Sequence, residues 1–596
     1  MKTFWKIVFG SLLGCLLASI LGIIILLSIV GSVGASIGSA PATSAVTANS
    51  VLRIDGSATI SERGMEDISI QAIKDGISKT ISLYDAVRSI DAAATDPHIK
   101  YVYLQTDNLQ VSISQAEELR AALSRFRASG KAVIAYANNH SLGSYYLASV
   151  ADKVIMNAYG ESMLTGIGSR SFFLKDLLDM IGVEVQLIRH GKFKSAGEMF
   201  ISNHMSEANK LQTQAMIDGL WGSMAEEICA SRGFSREDLD TWISGLEFED
   251  AQSLLDKNLL DTIYHTDEIA DYLCGLSGVS APEKINYVSL ADYAATLVSA
   301  SKSKDKIAIL YADGDIVTSG DPETSIVGTR LAAEIAKVRK DSTIKAVVFR
   351  VNSPGGSVQA AKVVRHEIEL LQENKPVVAS YGDYAASGGY WISAGADKIF
   401  TDNTTLTGSI GVFSMIPNVG GVVSDKLKVG IEFTNSHDHS DMMSGMKSLD
   451  GAETEYLQKS VEKIYDEFVG LVAEGRGMPA EKVDEIAQGR VWCGSDALGI
   501  GLADEKGGLF EALEYAAAMV GLQDYKVEIF PRPMSTMERI MGMLSSGEEV
   551  KAFFAAKEPV SAWETSLEQI GKTYEYLKTS TEAQMMARMP YVYEIR

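Results

Sequence analysis

Cysteine is scarce: Cys15, Cys229, Cys274 and Cys493 are the only four in 596 residues, and no two form a CxxC pair. That spacing indicates neither a metal site nor a disulfide framework, and it leaves a bridge between Cys229 and Cys274 open. Positive charge is also short. The 54 Lys+Arg against 77 Asp+Glu give a formal net charge of −23. Binding a phosphate backbone needs a basic face, so nucleic acid is not expected as a partner. Histidine is thin as well: there are eight, and none lies between Gly388 and Ser436. What is abundant is length, enough for several domain-sized units.

The N-terminus carries a long apolar run. After Lys2 and Lys6, residues 7–33 contain no charge, enough for a helix to cross a hydrocarbon core of about 30 Å. A cleaved signal peptide would have a shorter apolar region, of about 7 to 15 residues. The run also continues far past LLGC, which ends at Cys15. Residues 1–34 are therefore expected to be a retained transmembrane anchor, contacting membrane lipid, with residues 35–50 as a flexible Ser/Ala/Gly-rich stalk. Lysines on the short side only predict that this end stays cytoplasmic. In a bacterium that means a single-pass protein of the inner membrane with its body on the periplasmic side.

Folded sequence begins near Val51, and it occurs twice. VLRIDGSATI at residues 51–60 resembles IAILYADGDIV at 307–317. IKYVYLQ from Ile99 answers IKAVVFR from Ile344, and ADKVI from Ala151 answers ADKIF from Ala396, both at an offset of 245 residues. LTGIG from Leu164 answers LTGSIG from Leu406 after a small length difference. Each copy reads strand, turn, helix (114–128; 359–373), strand, turn, helix, the βαβ pattern of parallel sheets. The expected layout is a first α/β copy at 51–300, a polar linker at 299–306, a second copy at 301–545, and a C-terminal helical extension at 546–596.

The copies differ where chemistry could reside. In the second, residues 376–380 read as a buried strand and 382–389 as a tight turn into a helix, carrying Ser387 beside Gly388 and Gly389. A serine there sits near the positive end of the helix, as a nucleophile would. NSPGG at 352–356 offers backbone N–H groups on a loop whose glycines allow close approach. With Gly388 it could hold the oxyanion that acyl transfer generates. The first copy has DNLQV at 107–111 in place of NSPGG and Leu142 in place of Ser387. A serine also needs a base. By position His140, His366, His437 and His439 remain open; the alternative is a lysine kept neutral by burial.

SPGG at 353–356, AASGGYW at 385–391, LTGSIGVF at 406–413 and GKFKSAGEMF at 191–200 closely resemble the signal peptide peptidase A family of membrane-bound serine proteases in its long, duplicated form. The likeness extends to about Pro531. It implies an α/β fold of tandem duplicated Clp/crotonase-like spiral βαβ domains after one N-terminal transmembrane helix. It also implies Ser387 as nucleophile, Lys194 as general base rather than Lys192, Ser409 as the hydroxyl orienting the lysine, and Gly355, Gly356 and Gly388 as oxyanion donors. The implied substrates are apolar peptides, namely signal peptides left after export, and the implied assembly is a homotetramer. No cofactor and no metal are implied. The Clp relatives use a histidine soon after the serine, which is missing here. A crotonase-type acyl-CoA hydrolase and a non-catalytic membrane scaffold are the competing readings.

Overall fold

The computed structural model describes residues 45–64, 79–297, 301–532 and 586–588. The expected membrane helix lies outside these residues, and among them no helix is long and apolar enough to cross a membrane. Ser50 already belongs to the first strand, Ser50–Ile54, instead of the stalk.

Two parallel sheets carry the duplication. In the first copy the strands lie in the order Thr262–Tyr264, Lys153–Asn157, Val133–Ala137, Ile99–Gln105, Ser50–Ile54, Tyr287–Ser289. In the second, Glu505–Lys506, Lys398–Thr401, Val377–Ala386, Ile344–Ser353, Lys306–Asp313 and Lys526–Phe530 repeat that order. Lys306 is thus strand, not linker. Strands buried on both faces must be apolar on both, and Ile344–Ser353 is an example. Val347, Phe349 and Val351 pack into one core while Ala346 and Val348 pack into another with Leu509 and Leu513. The helices after the second strands, Ile113–Ala128 and Val358–Gln372, start on Ser112 and Ser357, whose side chains accept from the backbone N–H of Gln115 and Ala360.

One strand runs further than its sequence suggests. Val377–Ala386 is continuous, so the expected turn shrinks to Ser387 itself, followed by the helix Gly388–Ser393. In the first copy the same path breaks into Val133–Ala137 and His140–Ser141, and Leu142 follows as Ser387 follows Ala386. The prolonged strand pairs with Leu406–Gly408, and that in turn with Val491–Cys493.

A third, mixed sheet joins the copies. Its order is Ser325–Val327, Asp315–Val317, Gly355–Ser357, Met586–Arg588, Val412–Asn418, Glu184–His190. The last strand comes from the first copy and pairs antiparallel with the second along its whole length, from Val412 opposite His190 to Asn418 opposite Glu184. Met586–Arg588 is a strand, whereas a helical extension was expected at 546–596. A buried ionic tie reinforces the junction: Arg350 of the second copy is 2.9 Å from Glu62 and 2.7 Å from Glu118 of the first. Cys229, Cys274 and Cys493 are free thiols, so the open bridge is not formed.

Candidate active site

Ser387 stands between the end of the long strand and the helix that opens at Gly388. Its φ of 55° lies in the left-handed region that non-glycine residues rarely adopt. Its N–H donates to Gly408 O at 2.8 Å, and its carbonyl accepts from Trp391 N at 2.8 Å. Strand ladder and helix thus hold the bend from both sides. The side chain is fully buried.

Lys194 arrives from the other copy, on the loop after the strand Glu184–His190. Its Nζ lies 2.8 Å from Ser387 Oγ and 3.0 Å from both the Oγ and the carbonyl O of Ser409. All three residues are 0% exposed, and serine and lysine belong to the same chain. Burial pushes the Lys194 ammonium well below the usual lysine range. Ser409, with φ of 50°, is fixed by its N–H donating to Arg490 O at 2.7 Å. Lys192 is exposed and lies 4.9 Å over the Phe193 ring, away from the cluster. Lys447, the nearest lysine in the second copy's counterpart region, pairs with Asp441 and Glu453. Among the described residues no histidine hydrogen-bonds to Ser387.

The glycine loop packs on the serine's helix. A Cβ on Gly389 would stand 2.5 Å from Ser353 O, and one on Gly356 would stand 2.0 Å from Ile316 O. Both positions need glycine for closeness alone. Gly355 N–H donates to Ser353 Oγ at 3.2 Å, and Gly356 pairs with Ile316 on one side and Ala587 on the other. The strand Met586–Arg588 lies between Gly355–Ser357 and Val412–Asn418, with Gly355 opposite Arg588 and Gly356 opposite Ala587. An extended segment of the chain itself thus lies on the glycine loop and against the serine's helix.

Several supporting residues have no motif to announce them. Gln212, on the helix Glu207–Arg232, donates to Phe193 O at 3.1 Å and Ser195 Oγ at 2.9 Å, and accepts from Val491 N at 3.2 Å. It clamps the lysine loop to the segment that holds Ser409. Asn352 donates to Asp313 Oδ1 and accepts from Tyr384 N, joining three strand ends beneath the glycine loop. Gly489 lies directly against the Lys194 backbone.

A buried Ser-Lys pair at the seam of two α/β copies has relatives. The model of Peptidase family S49 matches residues 125–280 and again 369–523. Protease 4 from Haemophilus influenzae is 33% identical over 480 residues, which cover 76% of each chain. The chloroplastic serine protease SPPA of Arabidopsis thaliana is 30% identical, covering 80% of this chain and 71% of its own. A candidate signal peptide peptidase SppA from Enterococcus faecium is 34% identical over 244 residues, 40% of this chain and 70% of its own. The molecule is a serine protease built on a duplicated α/β unit. It belongs to Peptidase family S49, and both copies of the family's domain are present.

Proposed function

We propose that the protein is a Ser-Lys endopeptidase that degrades signal peptides after their release from exported proteins. Neutral Lys194 takes the proton of Ser387 Oγ as that oxygen bonds to the peptide carbonyl carbon. The N–H groups of Gly356 and Gly388 receive the developing oxyanion. The C–N bond then breaks, the departing amine takes the proton from Lys194, and water, deprotonated by the same lysine, releases the acyl group from Ser387. Ser409 Oγ orients the amine.

The observation that carries this reading is the 2.8 Å approach of Lys194 Nζ to Ser387 Oγ in a fully buried setting. Substrate class is supported by the Enterococcus relative's description and by the seat that extended backbone takes between Gly355–Ser357 and Val412–Asn418. The apolar run at residues 7–33 would tether the body at an inner membrane, and the assembly would be a tetramer. The test is a pair of variants. Ser387→Ala and Lys194→Ala should each lower cleavage of an apolar peptide by about 10⁴-fold or more, and a fluorophosphonate should label Ser387 alone. Cleavage at the parental rate in either variant sinks the assignment.

A further inference from the structure

The first copy repeats the second copy's path from loop to helix without its chemistry. Gln110, Val111 and Ser112 precede the helix Ile113–Ala128 as Gly355, Gly356 and Ser357 precede Val358–Gln372. Beside them lies a cavity of about 690 Å³, within the range of about 300–1,000 Å³ usual for ligand sites. Leu109, Val111, Ala116 and Leu147 of the first copy line it, together with Tyr384 and Leu406 of the second. None of Ser387, Lys194, Ser409, Gly355 or Gly356 does, so it is a separate place, reached along the strand that ends at the nucleophile.

Two features mark it as built to receive something. Thr106 lines the cavity at 3% exposure, and its hydroxyl has no hydrogen-bond partner. A buried polar group left unpaired costs free energy that a ligand can recover. The backbone of Gln110 and Val111 makes no hydrogen bond among the described residues, whereas their counterparts Gly355 and Gly356 pair with Met586–Arg588. The second copy therefore fills this position with an extended strand, and in the first, residues 110 and 111 present the same edge unpaired among the described residues.

We propose that the first copy is a non-cleaving peptide-binding groove. An extended apolar segment adds as a strand along residues 110 and 111 and seats one side chain in the cavity. It does not cleave, because Leu142 replaces the serine and no lysine lines the cavity. The groove would hold one stretch of a long apolar substrate while another lies at Ser387. This rests on the peptidase reading, but binding at residues 110 and 111 is read out independently of cleavage.

The test uses the full-length chain in detergent, carrying Ser387→Ala, with an acetylated alternating leucine-alanine peptide containing photoreactive leucine. After irradiation, adducts are mapped by mass spectrometry. Saturable adducts are expected on residues 106–113 as well as beside the nucleophile's helix. Val111→Asp should reduce the former about tenfold and spare the latter. Gln110→Pro, which removes a backbone donor without adding charge, should do the same and decides the matter if Val111→Asp loses both sets. Absence of saturable adducts on 106–113, or adducts unchanged in both variants, overturns the proposal. Failure of the unsubstituted protein to cleave the same peptide would instead count against the catalytic reading and leave the adduct map readable.

Discussion

Replacing Gly489 by alanine should disable the site from behind the lysine. Gly489 has φ of +77°, and a Cβ there would stand 2.6 Å from both N and Cβ of Lys194 and 2.7 Å from its Cα. Carbon atoms in contact prefer about 3.5–4.0 Å, so one backbone must retreat by about 1 Å. Residue 489 has little room to be the one that moves. Its N–H donates to Ile410 O at 2.8 Å, and Gln488 O accepts from Phe193 N at 2.9 Å. The displacement therefore falls on Lys194, whose Nζ must stay 2.8 Å from Ser387 Oγ. A misplacement of about 1 Å costs on the order of 10²-fold in rate. The left-handed backbone adds about 1–2 kcal/mol of lost stability. Gly477→Ala separates the two effects. It has φ of +61° with nothing within 4 Å of its Cβ, so it should lose stability alone. Peptide-cleavage kcat/KM and thermal melting of both variants provide the comparison. A Gly489→Ala enzyme within about threefold of the parent, or a Gly477→Ala enzyme slowed equally, would refute the reasoning.

Lys194 must be neutral to accept a proton, and burial holds its folded-state value below the usual lysine range. kcat/KM should therefore rise with pH through that lowered value and fall below it as the amine is protonated; a rising limb at about 10.4, the free-lysine value, would contradict this. Ala587→Pro targets the strand lying on the glycine loop, where Ala587 faces Gly356. Weakening that ladder by about 1 kcal/mol should raise kcat/KM for an added peptide about fivefold, and an unchanged value would mean the strand does not compete with substrate.

Much of this was legible because parallel strands buried on both faces must be apolar throughout, and because two copies could be laid on each other. The comparison located both the serine and the glycine loop. Reading the serine strand as ending near Ser380 was the main miss in the second copy. Gly382 and Asp383 look like a turn, but tertiary bonds keep them extended. Tyr384 N–H donates to Asn352 Oδ1, Ser114 Oγ donates to Asp383, and the ladder absorbs the irregularity by passing from Val351 opposite Tyr381 to Ser353 opposite Ala385. Gln212 and the Arg350–Glu62 pair were not legible. Nothing local distinguishes a glutamine or glutamate that will meet a partner over 250 residues away, and only the assembled junction gives them a role.

The same junction explains why the dyad is divided between the copies. Lys194 is delivered by Glu184–His190, an edge strand whose described partner is Val412–Asn418 of the other copy. An unpaired edge strand is not self-supporting, so the lysine has a fixed position only when a second copy follows in space. In the second copy the chain after Val412–Asn418 finds no such partner among the described residues. Residues 427–435 form no regular structure there, and Leu427 and Val429 are 65% and 52% exposed. A lysine retained there would have no strand to aim it and no desolvated pocket to lower its pKa. Among the described residues, the junction of the copies is thus where the fully buried lysine with a strand to aim it sits. It is beside Ser387, because the sheet that seats the lysine also contains Gly355–Ser357 against the serine's helix.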